Sequence, residues 1–247
     1  DLNSRSPGRT VEFVGMPGSG KSTISHAVAG LLRDQGEAVF EPTRTIDRLP
    51  SGRSRRTQKL KLAAAECLRS PGRTIEGAGA ILRTSQASPG GYSLSILNWL
   101  YLAGLYRQAT RQPGVSLFDQ GILQAIWSVA AGTGSLPEQV SDSWADRAAE
   151  VVLPDAVAVF VDADDPVLRS RLAGRTGGMS RLDAAIGESE GAAEEAFRSG
   201  RAALALVSEV AHRLENEGRL RIVSVNSGTR DVRSLADEIA ASLVSGA

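Results

Sequence analysis

The most constraining stretch of the sequence is a glycine-rich octapeptide near its start, Gly15–Ser22, which reads GMPGSGKS. It matches the phosphate-binding loop, or P-loop, pattern G-x-x-x-x-G-K-[ST] at every fixed position. An apolar, β-prone run ends at Val14, and a helical pattern follows from Ile24 to Leu32. A strand, a tight turn and a helix N-terminus are therefore predicted, which is the arrangement that binds a nucleoside triphosphate.

The residue types within this loop each have a physical role in phosphate binding. Glycines can adopt positive φ and leave no Cβ in the way, so successive N–H groups can converge on phosphate oxygens. Lys21 is expected to contact the β- and γ-phosphates of ATP, and Ser22 to contact Mg²⁺. The predicted nucleotide contacts are Gly15, Pro17, Gly18, Ser19, Gly20, Lys21, Ser22 and Thr23.

Composition narrows the class of protein. The 247 residues carry 28 basic and 28 acidic side chains, a balance that argues against nucleic acid as the main partner. The single cysteine, Cys67, excludes an internal disulfide framework. The longest apolar stretch, Ile96–Tyr106, is too short to span a bilayer, so we expect a cytoplasmic protein without membrane contact. Residues 1–9 are predicted as a flexible lead and 10–247 as one domain.

Apolar strand patterns alternate with helical ones along the chain. Such alternation predicts an α/β fold, a doubly wound parallel five-stranded sheet flanked by helices, with the site at the carboxyl ends of the strands. Between the second strand and the apolar helix, residues 70–91 are rich in Gly, Pro, Ser and Thr and predict a broken helix or mobile loop. The predicted strands are Val11–Val14, Ala38–Glu41, Val115–Asp119, Ala156–Asp162 and Arg219–Val225, and the predicted helices are 24–32, 57–68, 94–110, 122–129, 137–152, 165–175, 198–217 and 232–243.

Charged residues follow several of these elements. Asp119 ends an apolar strand, where a P-loop enzyme keeps the carboxylate that holds Mg²⁺ or its water. Arg171 and Arg175 are spaced i, i+4, so one helix face presents both to the transferring phosphoryl group. The glycine-rich tip 176–180 and Arg181 complete a predicted lid at about 169–183. Surface ion pairing is the alternative role for these arginines.

Four segments carry a resemblance to a known family. They are Phe40–Arg44 (FEPTR), Phe118–Gln120 (FDQ), the stretch from Pro154 to Asp164 with Arg169, Arg171 and Arg175, and the stretch from Arg219 to Gly228. Over nearly its whole length, the chain resembles the P-loop nucleoside and nucleotide kinase superfamily, particularly thymidylate kinases and deoxynucleoside kinases. The resemblance implies a phosphotransferase that uses ATP and Mg²⁺.

The resemblance also implies roles for individual residues. Glu41 corresponds to the general base of deoxynucleoside kinases, and Asn226 to the loop beside the adenine. Gln120 stands where both families usually carry an arginine, so recognition of the acceptor differs here. Arg44 and Arg107 are candidates for binding an anionic acceptor, because guanidinium groups suit phosphate and carboxylate. A substrate-binding insertion is expected at about 44–92.

The acceptor itself remains open. A nucleoside monophosphate requires arginines, which the basic stretch Arg44–Lys61 supplies, whereas a neutral nucleoside or a sugar-like metabolite requires a base such as Glu41. A nucleotide-dependent switch or ATPase that acts through a protein partner is the alternative from another class. A nucleic-acid kinase is less favoured by the neutral charge. The apolar helix 94–106 suits the core, with a homodimer interface as the alternative.

Overall fold

The computed structural model describes residues 8–86, 89–133, 140–152, 154–175 and 181–245. The strands in these ranges are β1 Arg9–Val14, β2 Val39–Phe40, β3 Val115–Phe118, β4 Ala156–Asp162 and β5 Leu220–Asn226. They form one five-stranded sheet in the order β2-β3-β1-β4-β5. Every neighbouring pair is parallel, so the carboxyl ends of the strands meet at one edge. The predicted parallel five-stranded sheet is confirmed.

Helices connect the strands, as parallel pairing requires. The helices of the described residues are α1 Lys21–Asp34, α2 Pro42–Asp47, α3 Gly52–Arg69, α4 Pro71–Leu82, α5 Pro89–Ala109, α6 Ile122–Ala130, α7 Val140–Ala149, α8 Asp165–Ala173, α9 Arg181–Glu188, α10 Glu190–Asn216 and α11 Val232–Ser245.

Two apolar layers cover the two faces of the sheet, because side chains alternate along each strand. Val11 and Phe13 of β1 pack in the layer that contains α1 and α11. Val14 lies in the opposite layer, with α5, α6 and α10. Glu12 faces this second layer too, and it is 4% exposed. The doubly wound architecture therefore places one carboxyl group inside the core, directly before the P-loop.

The region after β2 is more helical than predicted. Residues 71–82 form α4, a regular helix, and α5 begins at Pro89 after the non-helical residues 83–86, so of the two structures predicted for 70–91 the broken helix is the one observed. Gly77 of α4 packs against Trp99, where an added Cβ would lie 2.6 Å from the indole nitrogen, so this glycine is a packing residue rather than a helix breaker. Helix α3 also starts earlier than predicted, because the Ser51 side chain accepts a hydrogen bond from the Ser54 N–H and caps it.

Helices α2 and α9 were not predicted, and the other differences concern boundaries. Strand β2 contains neither Ala38 nor Glu41, and α10 begins at Glu190, where the Ser189 hydroxyl caps the helix, not at Arg198. The predicted lid tip, 176–180, the side chain of Arg181 and residues 1–7 of the predicted lead lie outside the described residues. None of the helices in the described ranges combines the length and apolar character that a membrane span needs.

Gly114, which leads into β3, provides a test of the sheet edge. Its φ is +90°, and an added Cβ would lie 2.1 Å from the Ala38 carbonyl oxygen. We expect Gly114→Ala to lower the free energy of unfolding by about 2–4 kcal/mol, through backbone strain and a clash with backbone. Gly30, within α1, has no neighbouring atom within 4 Å of an added Cβ. Gly30→Ala should raise the same quantity by about 0.5–1 kcal/mol, and urea denaturation measures both.

Candidate active site

The P-loop connects the carboxyl end of β1 to the N-terminus of α1. Gly18 and Gly20 have φ values of +86° and +90°, and Gly20 is the N-cap of α1. The Ser19 N–H donates to the Met16 carbonyl and closes the turn. The predicted positive φ at these glycines is confirmed, and the loop leads directly into a helix N-terminus, where N–H groups are free to bind phosphate.

Gly15 lies where the P-loop contacts β4, the strand beside β1 in the sheet. An added Cβ at this position would lie 2.2 Å from the Val161 carbonyl oxygen of β4, so no other residue fits without moving the backbone. The Gly15 N–H donates to the side-chain oxygen of Gln124 on α6, at 3.1 Å. The first residue of the loop is thus fixed from both sides.

Two buried hydrogen bonds to Glu12 hold Gln124 in place from the core side. One oxygen of Glu12 accepts a hydrogen bond from the Gln124 N–H at 2.8 Å, and the other accepts from the Tyr106 hydroxyl at 2.5 Å. Burial raises the pKa of Glu12 to about 7, although these hydrogen bonds act in the opposite direction. Gly121 makes room for the carboxyl group, since its added Cβ would lie 2.3 Å from the Glu12 carboxyl carbon.

Lys21 is buried at the base of the loop. Its ammonium group donates to the carbonyl oxygens of Gly15 and Met16, at 2.8 and 2.9 Å. Burial lowers the pKa of Lys21 to about 7; the Asp119 charge opposes this shift and the Arg175 charge adds to it. These electrostatic effects show that the three predicted catalytic residues Lys21, Asp119 and Arg175 lie near one another.

Arg171 and Ser227 close the other side of the loop. The Arg171 guanidinium donates to the hydroxyl and the carbonyl of Ser227, at 3.0 and 2.7 Å, and to the Gly18 carbonyl at 3.3 Å. The Ser227 hydroxyl donates in turn to the Ser19 carbonyl at 2.7 Å. The predicted cation of α8 is therefore held against the phosphate loop. Asn226 is exposed beside it, and its side-chain oxygen accepts from the Gly228 N–H.

Asp119 is the centre of a second group of polar side chains, which we term the Asp119 cluster: Thr43, Asp47, Lys59, Tyr101 and Asp119. The Thr43 hydroxyl donates to Asp119 Oδ1. Burial raises the pKa of Asp47, with Lys59 opposing and Asp119 adding to the shift. Burial, Asp47 and Asp119 raise the pKa of Tyr101 well above its usual value, so its hydroxyl stays protonated. The Lys59 ammonium lies 4.5 Å from the centre of the Tyr101 ring.

Glu41, the base implied by the resemblance, is surrounded by cations. Its carboxylate contacts Arg33 at 2.8 Å, His26 at 3.1 Å and Arg44 at 3.7 Å. Burial acts to raise the pKa of Glu41, but the hydrogen bonds from Arg33 and His26 outweigh it and lower the pKa. The role of Glu41 as base stays a prediction, and its contacts turn it towards α1, away from the Asp119 cluster.

Arg107 lies in a different part of the molecule. Its guanidinium binds both oxygens of Glu66, at 2.8 and 2.6 Å, and the Ser70 hydroxyl at 2.6 Å. It lines a cavity of about 160 Å³ between α3, α4, α5 and α7, to which no P-loop residue contributes. The structure therefore does not bring Arg107 together with the other predicted site residues. Gln120 is exposed immediately after Asp119.

The residues at the loop fit a magnesium ion. Ser22 is exposed at the first turn of α1, and the charge of Asp119 reaches the base of the loop. A hydroxyl and a carboxylate are oxygen ligands of the kind that Mg²⁺ takes together with water and phosphate oxygens. In the described part of the chain, no group of three His, Cys, Asp or Glu side chains forms a metal-binding cluster.

Solved structures share this architecture. Shikimate kinase from Acinetobacter baumannii in complex with shikimate is 15% identical, with 96% of this chain and 94% of that chain covered and a TM-score of 0.51. Thymidylate kinase from Ehrlichia chaffeensis is 15% identical, with 96% and 100% covered and a TM-score of 0.50. Deoxyadenosine kinase from M. mycoides is 14% identical, with 96% and 100% covered and a TM-score of 0.49.

No family model matches the sequence, and no curated protein matches it either. At such low identity, the structural similarity defines the fold and leaves the acceptor undetermined. The chain thus has the fold of the P-loop kinases, and the predicted resemblance to that fold is confirmed.

Several residues of the site carried no recognisable signal in the sequence. Ser227 lies about two hundred residues from the loop that it binds, and Gln124 is one polar residue within an apolar helix. Glu12 offered the only visible sign, because a carboxylate within the apolar run Val11–Val14 has to find buried partners.

Gln124 provides a test of this support. We expect Gln124→Met to leave the Gly15 N–H without its acceptor, and hydrogen exchange at the Gly15 amide should accelerate at least about tenfold. Ser128→Ala is the control, because the Ser128 hydroxyl donates only to the Gln124 backbone carbonyl on the same helix. Unchanged Gly15 exchange in a folded Gln124→Met protein would show that the side chain does not hold the loop.

Proposed function

We propose that this protein is an ATP- and Mg²⁺-dependent kinase that phosphorylates a hydroxyl group of a small molecule, a nucleoside or a sugar-like metabolite. The single observation that carries the proposal is the convergence of Lys21, Arg171 and Asp119 on one P-loop. Two cations beside the phosphates and one carboxylate near them are what phosphoryl transfer requires.

The residues of the loop have separate roles in binding the triphosphate. The N–H groups of Gly18 to Ser22 and the N-terminus of α1 receive the phosphate oxygens. Lys21 turns from the Gly15 and Met16 carbonyls towards the β- and γ-phosphates, and the negative charge of ATP raises its pKa again. Arg171, and Arg175, which lies two residues beyond the end of α8 and not on the predicted shared helix face, stabilise the charge that develops on the transferring group.

Transfer of the γ-phosphoryl group from ATP to the acceptor hydroxyl requires a group that takes up the hydroxyl proton, and this chain supplies one. The acceptor oxygen forms a bond to the γ-phosphorus, while the bond from that phosphorus to the β–γ bridging oxygen breaks and ADP leaves. Asp119 receives the proton of the acceptor hydroxyl, and Thr43 holds the carboxylate in place through Oδ1. When bound at Ser22 and near Asp119, Mg²⁺ supplies charge neutralisation for the β- and γ-phosphates.

The Asp119 cluster favours a neutral, hydroxyl-bearing acceptor. Asp47 and Asp119 accept hydrogen bonds from hydroxyls, and the protonated Tyr101 hydroxyl donates one. Arg55 and Lys59 balance the two carboxylates, so the cluster holds no excess positive charge for a phosphate. Glu41 and Glu66 engage Arg44 and Arg107, the two arginines that were predicted to bind an anionic acceptor. A nucleoside monophosphate is therefore the less favoured acceptor.

A second candidate function is supported by exposed apolar side chains. Leu60, Leu68, Ile75 and Leu82 of α3 and α4 are between 56% and 86% exposed. Such exposure suits a protein contact, and an ATPase that acts through a protein partner would use it. Hydrolysis of ATP without stimulation by any small molecule distinguishes this function from the kinase.

A substrate panel tests the proposed kinase. ADP release is measured with ATP and Mg²⁺ across neutral nucleosides, neutral sugars and nucleoside monophosphates. We expect stimulation by one neutral class, and a loss of at least about a thousandfold in Lys21→Ala, which lacks the ammonium beside the transferring phosphoryl group. Stimulation by monophosphates alone would contradict the neutral acceptor, and turnover by Lys21→Ala at the wild-type rate would contradict the site.

A pair of carboxamide variants distinguishes the two candidate bases. We expect Asp119→Asn to lower kcat about 100-fold or more even at saturating Mg²⁺, because proton acceptance is lost. Glu41→Gln should lower kcat less than about tenfold, since Glu41 is engaged by cations of α1 and α2. Recovery of Asp119→Asn by high Mg²⁺ would restrict Asp119 to a metal role. A larger loss in Glu41→Gln would make Glu41 the base.

A further inference from the structure

We propose that the protein has a second ligand site, separate from the P-loop, which binds a small molecule with an apolar body and an anionic group. The site is a cavity of about 360 Å³ beside the edge strand β2, between α1, α2, α3 and α5, which we term the edge groove. This volume lies within the range of small-molecule sites. No residue of the P-loop or of α8 lines it.

The floor of the edge groove is apolar. Ile46, Leu62, Leu105 and Ala109 line it, and each is less than 9% exposed. These side chains come from three different helices, α2, α3 and α5, whose packing fixes their positions. A ligand that covers this floor gains the free energy of removing apolar surface from water.

The rim of the edge groove carries excess positive charge. Arg33, Arg44 and Arg48 line it, against Glu41 alone. Glu41 contacts Arg33 at 2.8 Å and Arg44 at 3.7 Å. Arg48 has no ion-pair or side-chain hydrogen-bond partner in the ranges that the structure describes. A carboxylate, phosphate or sulfonate would supply that partner, since guanidinium binds such groups through two parallel hydrogen bonds.

Amide groups complete the rim. Gln58, Gln108 and Gln112 line the same cavity, and within the described residues their side chains make no hydrogen bond with other residues. Unengaged amides around an apolar floor provide the few polar contacts that orient a ligand in such a site. The volume of the edge groove, about 360 Å³, suits a single small molecule.

The edge groove is connected to the Asp119 cluster through α2. Arg44 and Arg48, one turn apart, face the groove, whereas Thr43 donates to Asp119. An anion that binds Arg44 competes with Glu41 for it and acts on the short helix that holds Thr43. The occupant is therefore placed to alter the position of Asp119, and coupling of this kind is reciprocal. The binding proposal itself does not depend on the proposed kinase activity.

The test uses 8-anilinonaphthalene-1-sulfonate, an amphipathic anion whose fluorescence rises in apolar sites, titrated against the full chain with and without MgATP. We expect saturable binding that MgATP does not abolish. Arg48→Glu should raise the Kd at least about tenfold, because it replaces the unpaired cation by an anion. Gln108→Glu, a second exposed rim position on another helix, should raise it several-fold, because it adds a negative charge that repels the anionic probe.

Arg56→Glu is the matched control, because it changes the net charge by the same amount as Arg48→Glu. Arg56 is exposed on α3 and does not line the edge groove. Its Kd should stay within about twofold of the wild type. Equal effects of Arg48→Glu and Arg56→Glu, or unchanged affinity in both rim variants, would overturn the site. Complete displacement by MgATP would place the probe at the P-loop. Equal affinity for the neutral N-phenyl-1-naphthylamine would overturn the requirement for an anion.

Discussion

The hydrogen bond from the Gly15 N–H to the Gln124 side chain is the contact on which the site depends. A loop that offers its N–H groups to phosphate has to be held by groups that phosphate does not displace. Gln124 does this from the core side, and Glu12 and Tyr106 hold Gln124 through buried hydrogen bonds. The carboxyl group inside the core is thus a structural support for the P-loop, and burial keeps the pKa of Glu12 near 7.

Helix α2 divides the carboxyl edge of the sheet into two chemically different regions. Thr43 turns one side of this helix to Asp119, where carboxylates and a phenol hydroxyl suit neutral hydroxylated groups. Arg44 turns the other side to the edge groove, where the cations are in excess. A sequence of six residues therefore separates a region that accepts hydrogen bonds from one that attracts anions.

The sequence predicted those parts of the fold and site that local patterns determine. The P-loop, its glycines and the five parallel strands follow from short-range spacing and alternation, and the structure confirms them. The regular course of α4 was not predicted, because Gly77 is there for close packing on Trp99, which is a contact between distant residues. Glu41 illustrates the same limit. Its partners Arg33 and His26 lie on α1, and the residues next to Glu41 in the sequence do not indicate these contacts.

Ser227 has a consequence for how the protein is made. It links Arg171 and Ser19, so the P-loop, which is synthesised about two hundred residues earlier, acquires this support only after β5 has been made. Helix α1 likewise packs against α11. A nascent chain that stops before β5 therefore exposes an unfinished loop to the nucleotides of the cell. The P-loop reaches its final set of contacts only after synthesis has passed residue 227, which ties the geometry of the loop to the completion of the sheet.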